Sequence, residues 1–202
     1  VGKALAKMHM AVVNFGELKP NPLGQSSWKA LFDQCDQTAA NALQAGFAGE
    51  IARECDWLSE NWPPNLPQCA VHTDLFPDNV LIRGDQVGGL IDFYFACTDF
   101  RAYDLAVTHA AWSFTADGRH YLAEIGTALL EGYGAVIRLT DDEKQALPVL
   151  ARGASLRFLL TRLYDWINTP ADAMVTRKDP LAFYHRLKFY SNANSSALLG
   201  SA

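Results

Sequence analysis

The sequence predicts a mostly α-helical domain with a small β-hairpin element in its middle, an α+β chain. Three observations lead there. Apolar residues recur at helical spacing before residue 62 and again after residue 103, and short β-branched or aromatic runs separated by turn residues fill residues 69–93. Half of the 202 residues are hydrophobic, enough to bury one sizeable core.

Val1, Leu5, Met8, Val12 and Phe15 share a helical face, so the chain opens inside an amphipathic helix expected to end near Asn14 to Gly16. A loop with Pro20, Pro22 and Gly24 follows. Ser27 is then placed to cap one helix carrying Trp28, Leu31, Phe32, Cys35, Ala39 and Leu43, with Gly46 as its stop. Phe47, Ile51, Cys55 and Leu58 mark another helix, closed by Pro63, Pro64 and Pro67. Residues 69–71, 80–82 and 90–93 read as strands, and Gly84-Asp85 joins the last two as a hairpin.

Helix resumes after Tyr103. Leu105, Ala106, His109 and Trp112 share one face, and Tyr121, Ile125, Leu129 and Tyr133 share another. Thr140 followed by Glu143 forms a capping box that opens the longest helix, which Pro148 is expected to kink or interrupt. Leu156, Leu159, Leu160, Leu163 and Trp166 continue beyond it. Asp179-Pro180 supplies an N-cap and first-turn pair for the last helix. The small polar residues of 191–202 predict a flexible tail, leaving 1–190 as the domain.

With 17 basic and 22 acidic residues the formal net charge is -5, which gives no general attraction for nucleic acid or anionic membrane. Any phosphate must be held locally, by a metal or a few placed cations. Cys35, Cys55, Cys69 and Cys97 form no C-x-x-C pair, so zinc and thioredoxin chemistry lack support. Buried free thiols in a reducing cytoplasm are expected instead. No apolar run reaches the ~18 residues of a membrane span.

The chemistry concentrates on the hairpin. His72, Asp74 and Asn79 lie in a tight loop between two apolar strands, and Asp92 ends the strand Gly89-Leu90-Ile91. Paired strands lie about 5 Å apart, so the hairpin brings Asn79 close to Asp92. Two oxygen ligands thereby converge, the kind that hard Mg²⁺ prefers, while Asp74 is free to accept a proton. Phosphoryl transfer asks for that combination. His72 follows an apolar strand, where a hydrogen-bonding brace is the commoner role than a catalyst. Asp104 reads as a helix N-cap, as a tie from that helix to the loop, or as both.

The pattern of His72, Asp74 and Asn79, with Ile91-Asp92-Phe93 and Tyr103-Asp104-Leu105-Ala106, resembles the aminoglycoside phosphotransferase and choline kinase group, whose fold is protein-kinase-like. Within that group the likeness runs furthest toward the bacterial homoserine kinases. It rests on His72-Thr73-Asp74-Leu75-Phe76-Pro77-Asp78-Asn79-Val80, Gly89-Leu90-Ile91-Asp92-Phe93-Tyr94-Phe95-Ala96 and Arg152-Gly153-Ala154, and on the segments 156–160 and 162–166. The resemblance implies Asp74 as catalytic base, Asn79 and Asp92 as Mg²⁺ ligands, ATP as co-substrate and L-homoserine as acceptor, in threonine biosynthesis. The chain reads Asp92-Phe93-Tyr94 where protein kinases have D-F-G, so no glycine-hinged switch is implied. Kinases of this fold also carry an N-terminal lobe with a sheet and an ATP-binding lysine. Residues 1–60 read as helices, with Lys3 and Lys7 on one of them. The resemblance therefore implies the C-terminal lobe alone, with little activity by itself and an N-terminal lobe in the native full-length protein.

A zwitterionic acceptor needs a cation for its carboxylate and an anion for its ammonium. Arg157, Arg162 and Asp165 are candidates, although by the helical period Arg157 stands about 140° from Arg162, so one straight helix is not expected to turn all three to one pocket. A surface ion pair between Arg162 and Asp165 is the structural alternative. Two other readings stay open. One is a kinase for an aminoglycoside, choline or a sugar, disfavoured by three arginines against one acid in residues 152–166. The other is a kinase-like module that binds without catalysis.

Overall fold

The computed structural model describes residues 1–170, 174 and 176–199. Helix α1 spans Gly2–Ala11 and buries Leu5, Ala6 and His9. It ends earlier than expected, and the β-branched pair Val12 and Val13, weak helix formers, lies past its end. The single helix expected from Ser27 is two, α2 (Trp28–Asp33) and α3 (Gln37–Leu43). The break follows from Asp36, whose carboxylate accepts the amides of Thr38 at 2.7 Å and Ala39 at 3.1 Å and so starts a new helix. Ser27 caps neither, and its hydroxyl donates to the Gly24 carbonyl. Helix α4 (Phe47–Asn61) begins after Gly46, whose φ of 76° lies in the left-handed region that glycine adopts without strain.

Four short strands follow: β1 (Gln68–Val71), β2 (Val80–Arg83), β3 (Gln86–Leu90) and β4 (Cys97–Phe100). They form two antiparallel pairs. β2 and β3 make the expected hairpin, with Val80 opposite Leu90, and β1 pairs with β4, Val71 opposite Cys97. Residues 91–93 were expected to extend the third strand, but Asp92 turns left-handed at φ 62° and ends it. β4 was not expected at all.

Five more α-helices follow among the described residues: α5 (Arg101–Trp112), α6 (Ala123–Gly134), α7 (Asp141–Asn168), α8 (Leu181–Asn192) and α9 (Ser195–Leu199). Thr140 and Glu143 form the expected capping box at the start of α7. Pro148 does not interrupt this helix. A helical proline costs about 3 kcal/mol, and burial of Leu147, Leu150, Leu156, Leu159, Leu160 and Leu163 along α7 outweighs it, at about 1.5–3 kcal/mol per leucine. Asp179 accepts the Leu181 amide at 2.8 Å, so the expected cap operates with Pro180 just outside α8. Of the tail expected over 191–202, residues 195–199 are helical and Leu198 is buried, while 200–202 lie outside the described residues.

The core forms where α7 packs on α5, α8, α2 and α4, and α6 closes against α1 and α9. Leu58, Tyr103, Leu105, Leu150 and Leu159 are fully buried there. Gly153 on α7 lets two tryptophans approach: an added Cβ would meet Trp62 at 2.4 Å and Trp28 at 2.6 Å. The architecture is mostly α with a small β-element, as the sequence implies. The β-element stands over the first turn of α5, which positions the loop between β1 and β2. All four cysteines are unpaired, with burial pushing the Cys35 and Cys97 thiols up to about 11 and those of Cys55 and Cys69 to about 12. Among the described residues no helix is long and apolar enough to cross a membrane.

Candidate active site

The loop between β1 and β2 is held from below by Asp104. This carboxylate is fully buried on the first turn of α5, whose N-cap is Phe100 rather than Asp104. One of its oxygens accepts the His72 amide at 2.7 Å and His9 Nε2 at 2.9 Å, and the other accepts the Thr73 amide at 2.7 Å. His9 in turn meets the Tyr133 hydroxyl at 2.8 Å through Nδ1. Burial alone would raise the Asp104 pKa, but His9 and the two amides prevail and hold it below the usual carboxylate range. His9 escaped the sequence reading because nothing in residues 8–10 marks it, and its partners come from α5 and α6.

His72 joins the two halves of the site. Its Nε2 lies 2.9 Å from the Ile91 carbonyl, and its Nδ1 accepts the Asp74 amide at 3.2 Å. A carbonyl only accepts and an amide N–H only donates, so these partners assign the neutral Nε2–H tautomer. Thr73 sits at φ 60°. For a β-branched residue this left-handed geometry costs on the order of 1–2 kcal/mol. Its amide is on Asp104, its hydroxyl donates to the Phe95 carbonyl at 3.0 Å, and its carbonyl accepts from Arg157 Nη1.

Asp74, Asn79 and Asp92 line one cavity of about 410 Å³. Asn79 donates through Nδ2 to the Asp74 carbonyl at 2.8 Å, which leaves its Oδ1 as a free acceptor. The Ile91 amide donates to the Asn79 carbonyl at 3.0 Å, so the hairpin ladder runs on and carries Asp92 beside Asn79. Burial pushes the Asp74 carboxyl up, opposed by the Arg157 and Lys178 cations. A carboxylate so placed is a stronger base than one in water.

Arg157, Thr161, Arg162 and Asp165 of α7 line the opposite wall with Lys178. This corrects the expectation that one straight helix does not present Arg157, Arg162 and Asp165 together. Arginine side chains are long enough to round the helix, and Arg157 arrives from beneath the loop while Arg162 arrives from the rim. Arg157 is only 2% exposed. Arg162 makes no ion pair with Asp165; it donates to the Asp179 carbonyl at 3.3 Å and covers the Phe183 ring. Burial, with Arg186 nearby, lowers its pKa to about 10, so it stays cationic at neutral pH. Lys178 and Thr161 were not foreseen: both are ordinary residues in sequence, and only the fold brings them to the cavity.

Among the described residues no group of three or more His, Cys, Asp and Glu is placed to hold a metal, so no all-protein cage exists. Mg²⁺ commonly takes one or two carboxylates and completes its shell with waters and substrate phosphates. Asp92 and the Oδ1 of Asn79, both on the cavity wall, fit that mode.

Comparison with known proteins gives a consistent picture. The phosphotransferase enzyme (APH) family model matches residues 1–139. A homoserine kinase from Zymomonas mobilis is 47% identical over 98% of this chain, which covers 61% of that protein. One from Rhizobium etli is 48% identical over 99%, again with 62% of its own length covered. The chain thus spans about three fifths of these relatives. A choline/ethanolamine kinase family protein from Mesorhizobium loti superposes with a TM-score of 0.62 at 18% identity, covering 99% of this chain and 65% of that one. That likeness shows the fold, which is protein-kinase-like.

Proposed function

This chain belongs to the phosphotransferase enzyme family, and from that premise we propose that the protein phosphorylates the hydroxyl of L-homoserine with ATP. The observation that carries the proposal is the cavity itself, where a raised carboxylate, two further oxygen donors and a wall of three cations and one acid meet within about 410 Å³.

Asp74 orients the acceptor hydroxyl and takes its proton as the oxygen attacks the γ-phosphorus, with ADP as the leaving group. Asn79 and Asp92 would hold Mg²⁺, which when bound would supply positive charge to offset that of the transferring phosphate. His72 and Asp104 support the loop that carries the base. Arg162 and Lys178 receive the acceptor carboxylate, and exposed Asp165 receives its ammonium. Choline offers no carboxylate to that wall, and a polycationic aminoglycoside meets two cations there. The names of the relatives support homoserine as the particular acceptor.

The test is transfer from Mg·ATP by the full-length protein to L-homoserine, choline, an aminoglycoside and a hexose in parallel. Homoserine alone should turn over, and Asp74→Asn should lower kcat by about 10²–10⁴-fold. Turnover of another alcohol with homoserine untouched would overturn the acceptor. Mg·ATP binding without transfer to any of them would instead favour a non-catalytic module.

A further inference from the structure

We propose that Arg157 is a positioning residue for Asp74, gripping the peptide unit from which the Asp74 side chain springs. The proposal rests on the reading of Asp74 as the base. The carbonyl of Thr73 and the amide of Asp74 belong to one peptide group. Arg157 Nη1 donates to its oxygen, and its N–H donates to His72 Nδ1 at 3.2 Å. The peptide is thus pinned at both ends, and its orientation fixes the direction in which Asp74 leaves the backbone. Without the guanidinium, a buried carbonyl loses its partner. Thr73, held at φ 60° against its own preference, adds strain that favours rearrangement of the loop once this peptide is released.

The surroundings of Arg157 argue against contact with the acceptor. It is 2% exposed, its guanidinium lies 4.3 Å from the Phe158 ring centroid and 5.5 Å from that of Phe95, and its Nε has no partner. One Nη is committed to the Thr73 carbonyl and the residue is almost wholly buried, whereas the less buried Arg162 and Lys178 line the same cavity.

The experiment compares R157Q, R157K and R162Q in the full-length protein by two readouts. In steady-state transfer to homoserine, R157Q should lose about 10–100-fold in kcat with KM almost unchanged, since small misplacements at a reacting centre cost that much. R157K, which restores one donor to the carbonyl, should regain most of the loss. A rise of tenfold or more in homoserine KM at unchanged kcat, with R157K no better than R157Q, would mark a bidentate clamp and overturn the proposal. Should R157Q fail to fold, R157K still decides, because a clamp predicts a raised KM and a positioning role does not. Amide hydrogen exchange in the ligand-free protein needs no acceptor. Exchange at Thr73 and Asp74 should quicken about tenfold in R157Q and stay at the parent rate in R162Q. Unchanged exchange in R157Q would sink the proposal whatever the acceptor proves to be. Faster exchange in a protein that phosphorylates no alcohol would count against the function reading and leave the grip on the loop standing.

Discussion

Asp104→Asn removes the charge on which the catalytic loop is seated. Two of the three donors on Asp104, the His72 amide and His9 Nε2, share one oxygen, and the Thr73 amide holds the other. An asparagine can keep the doubly used side as its carbonyl, but its NH₂ then faces the Thr73 N–H, donor against donor. One buried amide is orphaned, and two hydrogen bonds lose their ionic partner. Removing one partner of a buried, hydrogen-bonded charge costs about 3–5 kcal/mol, a large part of a typical domain's stability. Urea unfolding at pH 7.5 reads it directly, with tryptophan fluorescence as the probe: Trp28 and Trp62 meet edge to face in the core, 5.1 Å between centroids. With a urea m-value of about 2 kcal/mol/M, the midpoint should fall by about 2 M. The sign with pH follows from the depressed carboxyl. Its contribution is fully present above the unfolded value of about 4 and is lost as pH falls through the folded value, so the gap between parent and variant should close below pH 4. A midpoint within 0.5 M of the parent at pH 7.5, on the order of 1 kcal/mol, would refute this account of how the loop is held.

Two further predictions concern stability. Burial lowers the His109 pKa from 6.5 to about 4, so the unfolded chain takes up a proton there first, and stability should erode by about 3 kcal/mol between pH 6.5 and 4; His109→Gln should flatten that part of the urea-midpoint profile, and an unchanged slope would assign it elsewhere. Gly153→Ala drives a methyl against both tryptophans and should destabilise by about 1–3 kcal/mol, read as a lower Tm in calorimetry, with an unaltered Tm showing that the indoles move aside.

What the sequence reveals follows the range of the interactions involved. The hairpin and the capping box of Thr140 are local, so spacing and turn residues disclose them. The convergence of Asn79 and Asp92 depends on a hairpin of a dozen residues and is legible for the same reason. β4 is not, because Cys97-Thr98-Asp99-Phe100 has no strand texture and gains its partner from β1, across the whole catalytic loop. Arg157 misleads in another way. Its helical phase is computable, but its depth beneath the loop depends on how α7 packs, and depth decides whether the guanidinium meets a ligand or a backbone carbonyl. His9 and Tyr133 belong to that class too, since both serve the loop from helices remote in sequence.

The imidazole of His72 sets a length. One ring nitrogen takes the amide of Asp74 and the other meets the carbonyl that precedes Asp92, so the spacing between the two acidic ends of the cavity is gauged by a rigid five-membered ring. An asparagine or glutamine offers the same donor and acceptor, but on one amide carbon facing one way, and cannot bridge opposed partners. Displacement of either loop is therefore transmitted to the other through a spacer that cannot stretch, and the two ends keep step when the cavity fills.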